Sequence, residues 1–276
     1  MVLTLNEEAN LAACLRSVAD WAAEVFVVDS GSTDGTREIA AMCGARIYEH
    51  SFQTHATQWG WALEQLPLRG DWVLALDADQ QVTPELAQEI QALRAVDLAD
   101  VDGIFLKRRQ VFRQKWIKYG GYYPKYLLKL FRRGAVRIDA ADLVDHHFYV
   151  TGHVSRLQHD LIEANQKEDD ITFWVDKHNR YARMLAMEQL QRSGGQYAIT
   201  PTFFGNPDQK SLSLKLLWAK LPLYVRPFLY FTYRYVFRLG FLDGKEGAIF
   251  HFLQAFWFRL LVDINIDQLR RERART

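Results

Sequence analysis

The chain has 276 residues, of which 49% are hydrophobic and 24% charged, and its formal net charge is +1. This composition is typical of a globular protein with a substantial core and excludes a largely disordered chain. The near-zero net charge gives no overall argument for nucleic-acid binding. Glu7 and Glu8 come too early for a secretory signal peptide. Cys14 and Cys43 lack metal-ligand and redox spacing, so we interpret them as buried thiols of a reducing compartment.

The first third of the chain alternates predicted strands and helices. Apolar runs predict four strands, at 1–5, 25–28, 45–48 and 72–76. Asn6 is predicted to cap the first helix, and Thr83 and Pro84 stand in N-cap and N1 order for the last one. Such alternation predicts a parallel sheet with right-handed crossovers.

Asp77 and Asp79 directly follow the fourth predicted strand. Side chains at i and i+2 of an extended segment point the same way, so one cation or one polyhydroxylated ligand can contact both carboxylates. Asn6 and Asp29 also follow strands, and open α/β sheets bind ligands at the carboxyl ends of their strands. We therefore expect Asn6, Asp29 and Asp77 to gather at one edge. The alternative is that Asp77 and Asp79 only begin a surface loop.

A polar loop at 30–36 follows the second strand and leads into a helix. Its hydroxyls, its backbone N–H groups and the helix N-terminus suit a ribose or a phosphate, although simple helix capping would use the same residues. The chain has neither Gly-x-Gly-x-x-Gly nor Gly-Lys-Ser/Thr, which argues against a dinucleotide fingerprint and a P-loop.

An ordered set of motifs resembles glycosyltransferase family 2, and within it the bacterial branch that makes lipopolysaccharide core and exopolysaccharide. The set comprises TLNEE at 4–8, VVDSGSTDGT at 27–36, LDAD at 76–79, GGYYP at 120–124, LFRRG at 130–134 and GFLDGK at 240–245. Each motif is weak alone, but the ordered set covers nearly the whole chain.

The resemblance implies an α/β fold of GT-A type, a Rossmann-like, mostly parallel sheet flanked by helices. It implies a catalytic domain at 1–205, with a nucleotide-binding half at about 1–100 and an acceptor half at about 101–205, followed by an amphipathic helical extension at 206–276. It further implies an inverting enzyme that uses a nucleotide-sugar donor, such as a UDP-sugar, and a divalent metal, Mn²⁺ or Mg²⁺.

Several site residues are implied by the same resemblance. The expected nucleotide-sugar contacts are Thr4, Asn6, Glu7, Asp29, Ser30, Gly31, Asp77 and Ala78. Asp79 is expected to ligate the metal at the donor diphosphate, and Asp77 to hold the ribose and help orient the metal. A hard cation with oxygen ligands neutralises the charge that develops on a leaving diphosphate. Arg132, Arg133 and His159 are candidate phosphate contacts, the alternatives being a solvated strand end and a structural histidine.

The chain departs from the family pattern at three places. Gln80 stands where many relatives carry Glu, and Lys129 where an Arg is common, which keeps the charge but loses the bidentate fork. The third departure is in LVDHH at 143–147, where His146 stands at the usual position of the Glu that serves as base, with Asp145 beside it. Either side chain can take the acceptor hydroxyl proton, so we predict Asp145 or His146 as the base. The alternative is that both are loop residues without a role.

From Lys210 onward, basic residues are interleaved with large apolar and aromatic ones. The basic residues are Lys210, Lys215, Lys220, Arg226, Arg234, Arg238 and Lys245. The apolar runs between these charges are too short to cross a bilayer, so the pattern favours in-plane binding at an anionic membrane surface. The alternative is a helical extension packed on the catalytic domain, with its arginines reaching solvent. Binding of nucleic acid is not expected.

Together these features predict an inverting sugar transferase, peripheral on the cytoplasmic face of a bacterial inner membrane. Its acceptor would be a lipid-linked saccharide or lipopolysaccharide core. One alternative is a nucleotidyltransferase-like enzyme, which usually has an early basic Gly-rich loop that this chain lacks. Another alternative is a catalytically inactive membrane or assembly subunit.

Overall fold

The computed structural model describes residues 1–139, 141–144, 147–192 and 197–275. The strands are β1 (Val2–Thr4), β2 (Phe26–Asp29), β3 (Arg46–Glu49), β4 (Trp72–Leu74), β5 (Leu76–Asp77), β6 (Gln80–Val82), β7 (Gly103–Phe112), β8 (Lys115–Ile117), β9 (Lys125–Arg132), β10 (Val136–Ile138), β11 (Phe148–Val150) and β12 (Val154–Glu163). The α-helices are α1 (Leu11–Arg16), α2 (Thr36–Met42), α3 (His55–Gln65), α4 (Pro84–Gln91), α5 (Ile171–Gln191), α6 (Pro207–Ala219), α7 (Val225–Thr232), α8 (Gly244–His251) and α9 (Phe258–Arg273). Two 3₁₀ turns (Gln166–Asp169 and Gly240–Asp243) and two π-helical segments (Tyr233–Phe237 and Phe252–Trp257) complete the helical part.

A four-stranded parallel sheet in the order β3-β2-β1-β5 forms the first half of the fold. The strand and helix alternation of the sequence predicted this sheet, and the expectation of a GT-A-like α/β fold is confirmed. Helices cover both faces: Leu11 of α1 and Leu86 of α4 pack against one face, and Trp59 of α3 packs on the other side. Burial on both faces explains why these strands read as continuous apolar runs.

The fourth predicted strand is divided between two sheets. Trp72–Leu74 (β4) pairs antiparallel with β9, whereas Leu76–Asp77 (β5) pairs parallel with β1. Ala75 lies between them and donates its N–H to the carbonyl of Lys129 over 2.8 Å. The second sheet has the order β4-β9-β7-β12-β6 and is mixed, since only β7 and β12 pair in parallel. A short apolar run is expected for a buried strand of either sheet, so the sequence did not indicate that residues 72–77 form two strands in different sheets.

The helix starts agree with the sequence at α4 but not at α1. Thr83 caps α4 and accepts from the N–H of Leu86, as predicted. The prediction that Asn6 caps the first helix is wrong, because that helix starts at Leu11. Asn6 instead has a φ of 54° and accepts from the N–H of Thr33 over 2.8 Å. Its short side chain tolerates this left-handed conformation and ties the end of β1 to the loop that follows β2.

The C-terminal helices pack against α5 and against the loop before β9. Ala182 and Ala186 of α5 meet Val262 of α9 in a separate apolar cluster. Asp243 accepts from the backbone N–H groups of Lys118 and Tyr119 over 3.0 and 2.9 Å. The two motifs GGYYP and GFLDGK therefore lie at one junction, between the loop before β9 and the C-terminal helices.

Two of the basic residues that we assigned to membrane contact are internal. Arg226 is buried and forms an ion pair with Asp263, and Arg234 donates to the carbonyl of Gly120 over 2.8 Å while lying over the Tyr122 ring. Their role is corrected accordingly, because a guanidinium held in this way does not reach a lipid headgroup. A mixed pattern of charge and aromatic residues does not distinguish an internal ion pair from a solvated one.

One helix among the described residues, Gly240–Arg273, is long and apolar enough to cross a membrane by length and composition. The sequence analysis expected no run of spanning length in this region. The most apolar window of the helix is 39% buried, and Phe258, Val262 and Ile266 pack in the cluster with α5. Packing onto α5 accounts for these buried side chains, whereas Phe241, Leu242 and Phe252 of the same helix are exposed.

Candidate functional site

Three strands of the parallel sheet end at one edge, and polar residues follow each of them. Thr4 of β1 is in register with Asp29 of β2, and Leu3 is in register with Asp77 of β5. Asn6 follows β1 by two residues. The expectation that Asn6, Asp29 and Asp77 gather at the carboxyl edge of the sheet agrees with this register. The edge is where an open α/β sheet binds ligands.

Asp29 is fully buried and organises the loop that follows β2. Its Oδ1 accepts from the hydroxyls of Thr4 and Ser32 over 2.9 and 2.5 Å. Its Oδ2 accepts from the N–H groups of Gly31 and Ser32 over 3.1 and 2.8 Å. Gly31 has a φ of 91°, which other residues rarely adopt. Both oxygens therefore hold the loop in one shape, and a contact of Asp29 with a nucleotide base stays a prediction.

The segment after β1 is tied to the 3₁₀ turn Gln166–Asp169. Lys167 donates to Glu7 Oε1 over 2.5 Å and to the carbonyl of Asn6 over 3.0 Å. Asn10 donates to Glu7 Oε2 over 2.8 Å. Both oxygens of Glu7 are thus engaged by protein groups. Sequence reasoning missed Lys167, because it lies about 160 residues from its partners and no local motif marks it.

Asp77 and Asp79 occupy different electrostatic surroundings. The buried ammonium of Lys129 donates to Asp77 Oδ2 over 2.8 Å. The Asp79 carboxylate accepts no hydrogen bond from any residue that the structure describes. Burial, followed by the charges of Glu163 and Asp77, raises the pKa of Asp79 to about 8. A bound cation would remove this penalty, so Asp79 is the side chain best suited to ligate one.

The donor set at this edge fits a hard divalent cation held by few protein ligands. No cluster of three His, Cys, Asp or Glu side chains arranged to hold a metal occurs in the described parts of the chain. Mg²⁺ commonly binds through one or two carboxylates and completes its shell with substrate phosphates and water. Asp79, with Asp77 beside it, is compatible with this arrangement.

Gln80 bridges the aspartates to a residue that sequence reasoning missed. Its Oε1 accepts from the N–H of Asp77 over 3.1 Å, and its Nε2 donates to Glu163 over 2.9 Å. Arg108 donates to the other oxygen of Glu163 over 3.0 Å. A Glu at position 80 would place a second carboxylate against Glu163. The departure from the family pattern therefore has a local reason: the amide donates where a carboxylate would repel.

The candidate phosphate contacts Arg132 and Arg133 lie at the other end of the strand. Arg132 is in register with Trp72 and donates to the carbonyls of Val101 and Leu98, and Arg133 donates to the carbonyl of Leu68. Trp72 precedes Asp77 by five residues, or roughly 16 Å of strand. A contact of either arginine with the donor diphosphate has no support in this placement and stays a prediction. Both guanidinium groups tie loops to β9 instead.

His159 also lies away from the aspartates. It is exposed at an irregularity of β12, and its backbone N–H donates to Glu89 of α4 over 2.9 Å. Glu163, the residue of β12 that influences Asp79, comes four residues later. A metal or diphosphate contact from His159 therefore stays a prediction.

The predicted bases, Asp145 and His146, lie outside the described residues, and their role stays a prediction. The residues before them are anchored. Leu143 donates its N–H to Glu188 over 3.0 Å, and Arg192 forms ion pairs with Asp139 and Asp142 at 2.9 and 2.6 Å. The segment that precedes Asp145 is therefore held by the C-terminal end of α5.

The raised pKa of Asp79 predicts a pH-dependent effect of Asp79→Asn on stability. Folding raises this pKa from 3.8 to about 8, so the folded state binds the proton more tightly than the unfolded chain. Ionisation of Asp79 therefore costs the wild type stability as pH rises through this window. We expect the stability of the variant relative to wild type to increase from about pH 4 to about pH 8, the interval between the two pKa values, and to stay level above it, measured by urea unfolding in chelator. A pH-independent difference would contradict this, and exposed Asp100→Asn is the control.

Sequence comparison gives relatives in bacteria. The chain is 29% identical over 268 residues to the lipopolysaccharide core biosynthesis glycosyltransferase LpsC of Rhizobium meliloti, covering 92% of this chain and 88% of LpsC. It is 38% identical over 94 residues to an uncharacterised glycosyltransferase of Rickettsia typhi, covering 34% of this chain and 32% of that protein.

Two solved structures illustrate the structural comparison. Residues 1–349 of S. aureus TarS match with a TM-score of 0.45 and 16% identity, over 99% of this chain and 90% of that one. Glucosyl-3-phosphoglycerate synthase of Mycobacterium tuberculosis, solved with Mn²⁺ and UDP, matches with a TM-score of 0.31 and 22% identity. That match covers 40% of this chain and 42% of the synthase, so the chain spans less than half of its length.

The family model for glycosyl transferase family 2 matches residues 1–153. These residues contain the parallel sheet, the Asp29 loop, both aspartates and Lys129, and they amount to more than half of the chain. The chain belongs to glycosyl transferase family 2.

Proposed function

We propose that this chain is an inverting, metal-dependent glycosyltransferase that uses a nucleotide sugar of the UDP type. The acceptor is a lipid-linked saccharide or a lipopolysaccharide core. Family membership and the likeness to LpsC support a glycosyltransferase role in lipopolysaccharide core biosynthesis. The observation that carries the finer proposal is the Asp79 carboxylate, which lies beside Asp77 at the carboxyl edge of the sheet and accepts no hydrogen bond from the described residues. A negatively charged edge of this kind needs a cation before it can receive a diphosphate.

The donor contacts of the proposal follow the carboxyl edge. They are Thr4, Asn6, Glu7, Asp29, Ser30, Gly31, Asp77 and Ala78, with Asp79 and Asp77 as metal ligands. When it is bound, a divalent cation, Mn²⁺ or Mg²⁺, would neutralise the negative charge on the leaving diphosphate. Lys129 holds Asp77 in place, so the Asp79 carboxylate stays available. The Asp29 loop is fixed before the donor arrives, which lowers the ordering cost of binding.

The base completes the reaction on the acceptor side. Asp145 or His146 takes the proton of the acceptor hydroxyl while its oxygen attacks the anomeric carbon. Attack from the side opposite the diphosphate inverts the configuration of that carbon. Asp160, a carboxylate of the acceptor half, is engaged by Arg109 and by the hydroxyl of Tyr123. Because Asp160 is held in this way, it is a weaker candidate for the base than either residue of the motif.

The helical extension is proposed to bind the cytoplasmic surface of the inner membrane, as a peripheral element. Large apolar side chains of this region are exposed: Leu214, Leu217, Val225, Phe228, Leu229, Tyr233, Val236, Phe237, Leu239, Phe241, Leu242 and Phe252. Exposed basic residues accompany them, namely Lys210, Lys215, Lys220, Arg238 and Lys245. Such a surface gains from apolar burial at an interface and from attraction to anionic lipid.

The Asp79→Asn variant tests the enzymatic part of the proposal. The amide keeps the size of the side chain and removes the charge that a cation needs. We expect transfer to be abolished, together with the metal-dependent part of nucleotide affinity, while the melting temperature shows a folded protein. Radiolabelled nucleotide sugars with and without Mn²⁺ give the measurement, and Asp100→Asn is the control. Normal turnover of the variant at saturating donor would overturn the assignment of Asp79.

The predicted base is tested by Asp145→Asn and His146→Ala. We expect the variant that removes the base to lower kcat by roughly 10²–10⁴-fold, the range for a positioned general base, with donor affinity little changed. Asp100→Asn is the control, since Asp100 is exposed and has no predicted role in the site. Normal rates in both variants would place the base elsewhere. A wild type that neither transfers nor hydrolyses any nucleotide sugar would favour the inactive subunit.

Membrane attachment is tested by sedimentation with anionic vesicles. Replacing Phe237 and Leu242 by Ser should shift the protein to the supernatant, because both are exposed apolar side chains of the extension. Replacing Lys215 and Lys220 by Gln should weaken attachment by about 1 kcal/mol per charge and reduce its salt sensitivity. Met42→Ser is the control, because Met42 is an exposed apolar residue of α2, outside the extension. If wild type stays in the supernatant at low salt, the apolar surface is a packing or oligomer interface.

A further inference from the structure

One face of the mixed sheet carries a cluster of cations and aromatic rings that the donor site does not use. We call it the cationic-aromatic cluster, and it consists of Lys107, Arg109, Trp116, Lys118, Tyr123 and Asp160. Lys107 and Arg109 are two residues apart on β7 and so share a face of the sheet. Asp160 of β12 is in register with Lys107, and the guanidinium of Arg109 lies 4.9 Å from the ring centre of Trp116 on β8.

The buried carboxylate of Asp160 fixes the geometry of this cluster. Its Oδ2 accepts from Arg109 over 2.6 Å, and its Oδ1 accepts from the hydroxyl of Tyr123 over 3.0 Å. The rings of Trp116 and Tyr123 meet edge to face with centres 5.0 Å apart. The cluster is therefore preorganised, since its charged and aromatic groups are held by one another rather than by solvent.

The cluster has more positive than negative charge. Its cations are Lys107, Arg109 and Lys118, whereas its carboxylate is Asp160 alone. Lys107 lies 3.9 Å from Asp160, and Lys118 lies over the Trp116 ring at 5.4 Å. Arg109 uses its Nε and one terminal nitrogen on Asp160 and is still 38% exposed. Two net positive charges beside apolar ring faces suit a saccharide that carries phosphate or carboxylate groups.

The position of the cluster relative to the aspartates suits an acceptor. Arg109 is in register with Ile162 of β12, which is in register with Gln81 of β6. Two strand spacings, about 10 Å, therefore separate the backbone of Arg109 from that of Gln81. Gln81 follows Asp79 by two residues. A saccharide could thus extend from the donor edge to the cluster across the sheet.

We propose that the cationic-aromatic cluster binds an anionic group, phosphate or carboxylate, on the acceptor saccharide. This inference rests on the proposed function and adds the chemical class of the acceptor. Trp116 and Tyr123 provide the surface for a sugar ring, and Lys107, Lys118 and the free edge of Arg109 bind its anionic substituent.

Acceptor binding can be measured without turnover, by calorimetric titration of the full chain with delipidated lipopolysaccharide-core oligosaccharide. Three forms of the oligosaccharide are compared: native, phosphatase-treated and carboxyl-reduced. We expect removal of the recognised anion to weaken binding about 10-fold, since a hydrogen bond to a charged group is lost. The phosphatase arm and the carboxyl-reduction arm tell which anion it is. Equal affinity for all three forms, or no measurable binding, overturns the proposal.

Variants then test the residues. Lys107→Gln and Lys118→Gln should each weaken binding of the native oligosaccharide several-fold, up to about 10-fold, and have little effect on the neutralised form. Arg109→Lys keeps the positive charge and should therefore weaken binding of the native oligosaccharide less than Arg109→Gln does. Lys115→Gln, which removes an exposed charge from the neighbouring position on β8, is the matched control and should bind normally. Melting temperatures verify that each variant folds.

Donor measurements separate this proposal from the proposed function. Thermal shifts with UDP-sugars and Mn²⁺ should be unchanged in Lys107→Gln, because the cluster is assigned to the acceptor. If this variant instead weakens donor binding and leaves oligosaccharide affinity unchanged, the cluster serves the donor diphosphate and the proposal is wrong. If wild type binds no nucleotide sugar, the proposed function fails whatever the oligosaccharide titrations show.

Discussion

Lys129 makes two contacts that join the halves of the fold at the site. Its carbonyl accepts from the N–H of Ala75, at the point where one apolar run leaves the mixed sheet and enters the parallel one. Its ammonium donates to Asp77, two residues later. A strand of the second sheet thus supplies the counter-charge for a carboxylate of the first. The position of the aspartates therefore depends on the junction of the two sheets, and a displacement of β9 would move both.

The same contact explains why lysine suits a position where relatives carry arginine. The ammonium is buried and reaches one carboxylate oxygen, so a compact charge on a flexible stem is sufficient. Among the described residues, Lys129 donates no hydrogen bond to Asp79, whose pKa burial raises to about 8. The two members of the Asp-x-Asp motif therefore differ in their surroundings, as the proposed metal-binding role of Asp79 requires.

Local signals in the sequence predicted the parts of the structure that depend on local chemistry. The buried strands, the cap at Thr83 and the gathering of Asp29 and Asp77 at one edge follow from apolar runs, capping preferences and strand alternation. Contacts made across long stretches of chain could not be read in this way. Glu163 and Lys167 lie at the candidate site because β12 pairs with β6. No spacing of residues in the sequence predicts that two strands so far apart in the chain will pair. Motif resemblance likewise suggested that Arg132 contacts the diphosphate, whereas in the structure its guanidinium donates to the carbonyl of Val101.

The junction between GGYYP and GFLDGK also has a consequence for how a lipid-borne substrate is reached. Asp243 and Arg234 bind the backbone around Gly120, and Phe241 and Leu242 are exposed beside them. A Cβ on Gly120 would lie 2.0 Å from the ring of His251, so the two segments approach too closely to slide past each other. If the extension binds a bilayer through those apolar side chains, as proposed, this junction would hold the cationic-aromatic cluster, which includes Lys118, at a fixed distance from the lipid. Such a fixed distance would restrict binding to saccharides whose acceptor end lies at that distance from the membrane.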